Sequence, residues 1–225
     1  MSWVIGFDEA GRGSLVGELI VAGLAVHDYD VERLRELGVR DSKQLSPSAR
    51  QRLYKEIIRM GPFVTCPIRP SEIDHSNINY LEESAIAKII EIMTKYIGLP
   101  PRHIKAIYID KFGELKFLPK VLERLGFSGK LVDEPKADVN YPVVSAASII
   151  AKVVRDARIA VLRSMYGVEG SGYPSDPRTV DWVMKTLRAG RRPPIIRYSW
   201  GTLRGTSAFV RKAKSPGRTL EDFMV

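Results

Sequence analysis

The sequence predicts an α/β fold: a mixed central sheet flanked by helices, with a small helical region toward the C-terminus. Three observations carry this. Short apolar runs recur at 3–8, 15–27, 63–68, 104–110 and 130–135, several of them apolar enough to be buried on both faces. Longer segments between and after them place apolar residues every 3.6 positions, the period of a helix with one buried face. The order begins with strands and continues with strand–helix alternation, which favours a mixed sheet covered by helices.

Taken in order, "WVIGFD" at 3–8 predicts a first, central strand. Residues 15–27, "LVGELIVAGLAVH", predict one long strand or two joined. A helix is expected over 47–60, with Ser46 as N-cap, Pro47 at its first position, and Leu53, Ile57 and Met60 on one face. "FVTCPI" at 63–68 is a short strand. The clearest helix is 79–97, where Leu81, Ala85, Ile86, Ile89, Ile90, Met93 and Ile97 keep the period. "IKAIYID" at 104–110 is a strand ending on an acid. A helix over 114–126 must start near Pro119 or kink there. "KLVDEP" at 130–135 is a further strand, and 145–167 a helix with Ser145 as N-cap and small residues that let its backbone approach the sheet. A last helix over 178–189 ends before "RRPPI", and an aromatic and basic stretch follows.

The chain has 225 residues and a formal net charge of +9, which suits a polyanionic partner as well as simple solubility. No apolar run approaches the ~20 residues of a membrane span. The N-terminus lacks the basic and apolar regions of a secretion signal. The single cysteine, Cys66, cannot form an internal disulfide, and a cytoplasmic location is expected.

Against that basic balance, several acids stand where strands end or turn. They are Asp8 with its neighbour Glu9, Asp110, and Asp138 in "KADVNYP". Ligand groups gather at the carboxyl ends of strands in such sheets, so these acids can converge. Oxygen donors alone suit Mg²⁺ or Mn²⁺, and cations between the acids would remove their repulsion of a phosphate backbone. An acid at a strand end is equally a turn former or cap. Alternation adds a difficulty: Asp8 and Glu9 point to opposite faces unless the chain twists at Glu9, which Gly11 and Gly13 would permit.

Gly11, Gly13 and Gly17 follow a spacing one residue too long for a dinucleotide loop, and the preceding acids would repel a pyrophosphate. The turn is either a plain hairpin or a close approach of bare backbone to a polar ligand, with Arg12 in reach of a phosphate. Lys152 and Arg155, three apart, share a helix face; they meet phosphate or pair with Asp156.

The ordered set "GFDEAGRGSLVG", "RDSKQL", "YID", "KADVNYPVVSAASIIAKVVRD" and "GSGYPSDPRT", spread over residues 4–179, resembles the ribonuclease HII family, most closely its archaeal branch. The resemblance implies a ribonuclease H-like fold. It implies an endoribonuclease that hydrolyses the RNA strand of RNA–DNA hybrids and incises duplex DNA 5′ of an embedded ribonucleotide, leaving 3′-hydroxyl and 5′-phosphate ends. It implies a metal-binding, catalytic set of Asp8, Glu9, Asp110 and Asp138 that uses Mg²⁺ or Mn²⁺. Gly11, Arg12 and Gly13 would grip the 2′-hydroxyl, the one group that marks a ribonucleotide at most bases. Tyr173 would sense the DNA–RNA junction, and Ser42, Lys43 and Ser145 would contact phosphate. Two other classes are open to the residues alone: a DNA-specific nuclease or resolvase of the same fold, and a non-catalytic nucleic-acid-binding module.

The expected organisation is a catalytic domain at 1–172, a helical region at 173–213 packed on it, and a flexible tail at 214–225. A monomer without a membrane partner is expected. Archaeal relatives sometimes end in a sliding-clamp peptide. Here Leu220 and Phe223 fit that pattern, while Gly217 replaces its glutamine and Met224 its second aromatic. Leu220, Phe223 and Met224 can also form one apolar face of a short helix.

Overall fold

The computed structural model describes residues 2–39 and 45–211. The chain forms two compact units, each discontinuous in sequence. The first comprises Met1–Ala10, Ile20–Cys66 and Glu82–Val154, and the second Gly11–Leu19, Pro67–Leu81 and Arg155–Val225.

The first unit is organised by a five-stranded mixed sheet of order β3-β2-β1-β4-β5. Its strands are β1 (Trp3–Ala10), β2 (Leu19–His27), β3 (Phe63–Ile68), β4 (Ile104–Asp110) and β5 (Lys130–Glu134). β1 pairs antiparallel with β2 and parallel with β4, which pairs parallel with β5. β1 is the middle strand and almost wholly buried, as its apolar run predicts.

Helices α1 (Val31–Glu36), α2 (Pro47–Ile57), α3 (Pro70–His75), α4 (Ile78–Glu91), α5 (Leu118–Arg124), α6 (Ala137–Asn140), α7 (Pro142–Tyr166) and α8 (Pro177–Arg188) complete the regular structure. The first residues of α7 lie on the sheet through Gly6: a Cβ there would sit 2.5 Å from the Val143 backbone. Glycine on the strand therefore enables the close approach that the sequence assigns to small residues on the helix. Leu24, Val26, Leu53, Ile57, Val144 and Ile150 belong to the apolar cluster of this unit.

Several boundaries differ from expectation, each for a local reason. The run 15–27 does not continue as one strand, because Gly17 adopts φ +87° and β2 starts only at Leu19. The helix expected to reach residue 97 changes at Ile92–Tyr96 to a wider turn closed by Ile97 N–H donating to Ile92 O. Thr94 Oγ1 donates there to the Ile90 and Glu91 carbonyls at 2.9 and 3.2 Å and competes with the helical ladder. α5 begins at Leu118, not 114. The Glu83 carboxylate accepts the N–H groups of Lys116, Phe117 and Leu118 at 2.7, 2.7 and 2.8 Å and fixes that start. α7 starts at Pro142, three residues before the expected N-cap Ser145. The Ser46 cap of α2 forms as predicted, accepting from Ala49 N–H at 3.2 Å, though α2 ends at Ile57.

The second unit has its own apolar cluster, including Leu15, Val16, Val168, Trp182, Val183 and Ile196. Two buried charges tie its segments. Asp74 accepts the N–H groups of Tyr198 and Ser199 at 2.9 and 2.8 Å. Arg197, wholly buried, donates to the carbonyls of Gly17 and Arg12 at 3.1 and 2.9 Å. Asp176 caps α8 by accepting from Arg178 N–H at 3.1 Å. Among the described residues no helix is long and apolar enough to cross a membrane.

Gly6→Ala should destabilise the protein by about 3 kcal/mol, since backbone rather than a flexible side chain must yield. Chemical denaturation checks this; an unchanged midpoint would contradict the β1–α7 contact.

Candidate active site

The β1–β4 register pairs Phe7 with Ile109, so the next residue of each strand, Asp8 and Asp110, stands at the carboxyl end of a central strand. Asp138 arrives on α6, after Lys136 has turned the chain through a left-handed conformation, φ +61°. One carboxylate oxygen from each of Asp8, Asp110 and Asp138 lies within 4.8 Å of the other two. No other trio of His, Cys, Asp or Glu donors is drawn so close among the described residues.

Backbone donors and serine hydroxyls hold the arrangement. Ala137 N–H donates to Asp110 Oδ1 at 2.9 Å, joining the α6 turn to the end of β4. Glu9 N–H donates to Asp8 Oδ1 at 2.7 Å. Ser145 Oγ donates to the Asp138 carbonyl, so the serine expected to cap α7 instead pins the Asp138 turn. The Tyr141 ring stacks on Tyr108 with centroids 4.2 Å apart, which fixes the exit of α6 to β4.

The electrostatics favour a cation. Burial is the main cause that pushes Asp8 up to about 6, and the nearby Asp110 charge adds to it. Hydrogen bonds from the Ser148 side chain and Glu9 N–H oppose the rise, as does the Lys152 charge. Lys152 Nζ in turn donates to Ser148 Oγ at 2.9 Å. The donors are carboxylate oxygens without nitrogen or sulfur, the set that fits Mg²⁺ or Mn²⁺ rather than zinc.

Glu9 is not part of the trio drawn within 4.8 Å. β1 stays in register with β2 through Ala10↔Ile20, so the strand pairing is unbroken at Glu9. Glu9 does line a small cavity of about 10 Å³ together with Asp8, Asp110 and the buried Glu82.

The remaining site residues fall in the second unit or outside the described residues. Gly11 has φ +93°, as a tight turn needs, whereas Gly13 does not adopt positive φ. Ser14 N–H closes the turn on Gly11 O at 3.1 Å. Arg197 Nη1 donates to Arg12 O at 2.9 Å and Trp200 Nε1 to Gly13 O at 3.3 Å, so the turn's carbonyls are held from behind. Arg12 Nη2 donates to Asn79 Oδ1 at 2.5 Å. Tyr173 is half-buried, with the Arg155 guanidinium 4.3 Å from its ring centroid. Ser42 and Lys43 lie outside the described residues, as do Leu220, Phe223 and Met224.

Sequence reasoning missed Ser148, Glu82, Asn79, Arg197 and Trp200. Ser148 sat in the quoted motif and its helical spacing to Lys152 was readable. Arg197 and Trp200 reach the turn from more than 180 positions away, and no local pattern announces that.

The pattern of the Ribonuclease HII family matches residues 5–203. A ribonuclease HII of Aeropyrum pernix is 50% identical over all of this chain and 99% of its own. One of Saccharolobus solfataricus is 40% identical over 96% of this chain and 99% of its own. The crystal structure of ribonuclease H2 from Pyrococcus horikoshii superposes with TM-score 0.76 at 38% identity, covering 90% of this chain and 95% of that one. The ribonuclease HII of Archaeoglobus fulgidus, solved in complex with PCNA, gives TM-score 0.76 at 35% identity over 98% of this chain and all of that one. An RNase HIII solved with Mn²⁺, at 21% identity and TM-score 0.73 over 89% of this chain and 68% of that one, shares the fold.

The folded carboxyl of Asp8 lies above its ordinary 3.8, at about 6, so its ionisation opposes folding. That cost is absent below pH ~4, grows as pH rises through the window to about 6, and reaches about 3 kcal/mol above it. Asp8→Asn should therefore melt higher than the parent at pH 8 without divalent ions, with the gap closing toward pH 4. A lower melting point for the variant at pH 8 would contradict the burial argument.

Proposed function

The chain belongs to the ribonuclease HII family, and on that premise we propose that it hydrolyses the RNA strand of RNA–DNA hybrids and incises duplex DNA 5′ of an embedded ribonucleotide, leaving 3′-hydroxyl and 5′-phosphate ends. The fold is ribonuclease H-like and the chain is a nuclease. The observation that carries the finer reading is the convergence of Asp8, Asp110 and Asp138 from two strands and a turn.

In this reading Asp8, Asp110 and Asp138 hold Mg²⁺ or Mn²⁺, and Glu9 contributes from the neighbouring small cavity. When bound, such ions supply charge neutralisation at the scissile phosphate and at the attacking and leaving oxygens. Asp8 and Asp110 set the position of the phosphate, because β1 and β4 fix them on a rigid sheet. Asp138 is adjustable only as far as the Ala137–Asp110 and Ser145–Asp138 contacts allow. Lys152, one hydrogen bond behind Ser148, offsets part of the negative charge that the three acids bring together.

Selection of the substrate is assigned to the second unit. With the carbonyls of Arg12 and Gly13 held from behind, the exposed face of the Gly11–Gly13 turn offers backbone to a sugar at short range. Apart from its chain neighbours, no atom among the described residues lies within 4 Å of where a Gly13 Cβ would be. The 2′-hydroxyl both donates and accepts, so a backbone turn can tell it from hydrogen. Tyr173 presents a ring to the sugar at the junction. Ser42, Lys43 and Ser145 are proposed phosphate contacts. The Ser145 hydroxyl proton is given to Asp138 O and its N–H to Tyr141 O at 3.1 Å, so a phosphate contact by Ser145 requires the hydroxyl to turn from Asp138. A sliding clamp is the proposed protein partner through Leu220, Phe223 and Met224, supported by the relative solved with PCNA.

The decisive assay compares an all-DNA duplex, the same duplex with one ribonucleotide, and an RNA–DNA hybrid, each with Mg²⁺ and with Mn²⁺. Cleavage of the last two and not the first is expected; equal cutting of the all-DNA duplex would overturn the reading. Asp110→Asn should lower cleavage by about 10³-fold or more while substrate binding survives. Tyr173→Ala should lose junction incision well beyond any loss of stability. Parallel losses in both would make Tyr173 a packing residue.

A further inference from the structure

Arg155, on α7, is only 6% exposed. Its Nη2 donates to Ser14 Oγ at 3.1 Å and to the Ser171 carbonyl at 2.8 Å. The guanidinium carbon lies 4.3 Å from the centroid of the Tyr173 ring. Nη1 comes within 3.5 Å of Asp156 Oδ1. One side chain thus touches the end of the Gly11–Ser14 turn, the loop that carries Tyr173, and the Tyr173 ring.

Two glycines are shaped around it. A Cβ on Gly11 would lie 2.9 Å from Arg155 Nε, and one on Gly172 would lie 3.0 Å from Nη2. Both glycines have positive φ, +93° and +85°. Leu15 and Val16 N–H groups donate to Gly172 O at 2.8 and 3.0 Å, so turn and loop are also stitched backbone to backbone around the guanidinium. Nε itself is buried with no hydrogen-bond acceptor among the described residues. A buried donor left without an acceptor costs stability, and its retention points to a demand on where the guanidinium sits.

We infer that Arg155 is a positioning residue that locks the Gly11–Ser14 turn to the Tyr173 loop, so that both present one rigid reading surface to a ribonucleotide junction. The inference rests on the substrate reading given above. Only arginine supplies the combination required: a planar group thin enough to slide between two glycines, one Nη that donates to two oxygens while the other faces Asp156, and a face that stacks on tyrosine. Lysine keeps the charge and can donate to both oxygens, but it lacks the plane that stacks on Tyr173 and a second nitrogen for Asp156.

The test compares the wild type with Arg155→Lys, Arg155→Met and Ser14→Ala. For each, kcat and KM are measured on a duplex with one ribonucleotide and on a continuous hybrid, together with Mn²⁺ affinity by calorimetry and the melting temperature. Arg155→Met should raise KM on the single-ribonucleotide duplex by about tenfold or more, change the hybrid by less than about threefold, and leave Mn²⁺ affinity unchanged. Arg155→Lys should fall between the two. Ser14→Ala, a milder change, should shift the substrate ratio in the same direction at near-parental melting temperature, which keeps the test usable if Arg155→Met folds poorly. A parental ratio of the two substrates in Arg155→Met and Ser14→Ala overturns the inference, as does a loss on both in proportion to the folded fraction lost. If the wild type itself ignores the ribonucleotide, the substrate reading fails, and the lock is then judged by amide exchange over 171–174. Exchange in Arg155→Met faster than the global change supports it, and unchanged exchange refutes it.

Discussion

The parallel pairing of β1 with β4 sets two like charges next to each other in the middle of the sheet, and the first unit is arranged around that constraint. Sheet register leaves Asp8 and Asp110 no freedom to separate, and burial raises the cost of ionising Asp8. The Glu9 amide, the Ser148 hydroxyl and the Lys152 charge lower that cost without removing it, while the Ala137 amide ties Asp110 to the α6 turn. A third carboxylate, Asp138, is then added by the α6 turn and pinned through Ser145. Such a cluster of acids is favoured by a cation placed among them, as the proposed function requires.

A net charge of +9 on the whole chain and a trio of acids at its centre describe the same task at two ranges. Lysines and arginines attract the phosphate backbone over a Debye length. At contact distance the acids would repel it unless a divalent ion sits between. On the proposed function, discrimination, which charge cannot supply, falls to the second unit. Its two buried arginines, Arg155 and Arg197, spend their donors largely on backbone and hydroxyl oxygens of the glycine turn and the segments around it.

Strands were the most legible part of the sequence, because buried runs such as "WVIGFD" and "IKAIYID" have no competing period. The acids are legible as strand-end residues, and their convergence follows from the pairing of β1 with β4. Helix limits were less legible where long-range contacts set them. Glu83 starts α5 from 33 or more residues away, and Thr94 widens the end of α4 by bonding back to it. α6 is too short for a period to show, although it carries Asp138. The hardest features were those that join distant segments: Gly6 admits α7, and Arg197 and Trp200 reach back to the glycine turn. Alternation separates Glu9 from Asp8 along β1, yet Glu9 lines the same small cavity as Asp8 and Asp110.

The account stands on Asp8, Asp110 and Asp138 forming one divalent-ion pocket. A crystal grown with Mn²⁺ and measured at the manganese edge tests this most directly. The account predicts an anomalous peak within about 2.5 Å of a carboxylate oxygen from each of the three aspartates. A fully soaked crystal with no peak there, or with peaks only elsewhere on the protein, would contradict it.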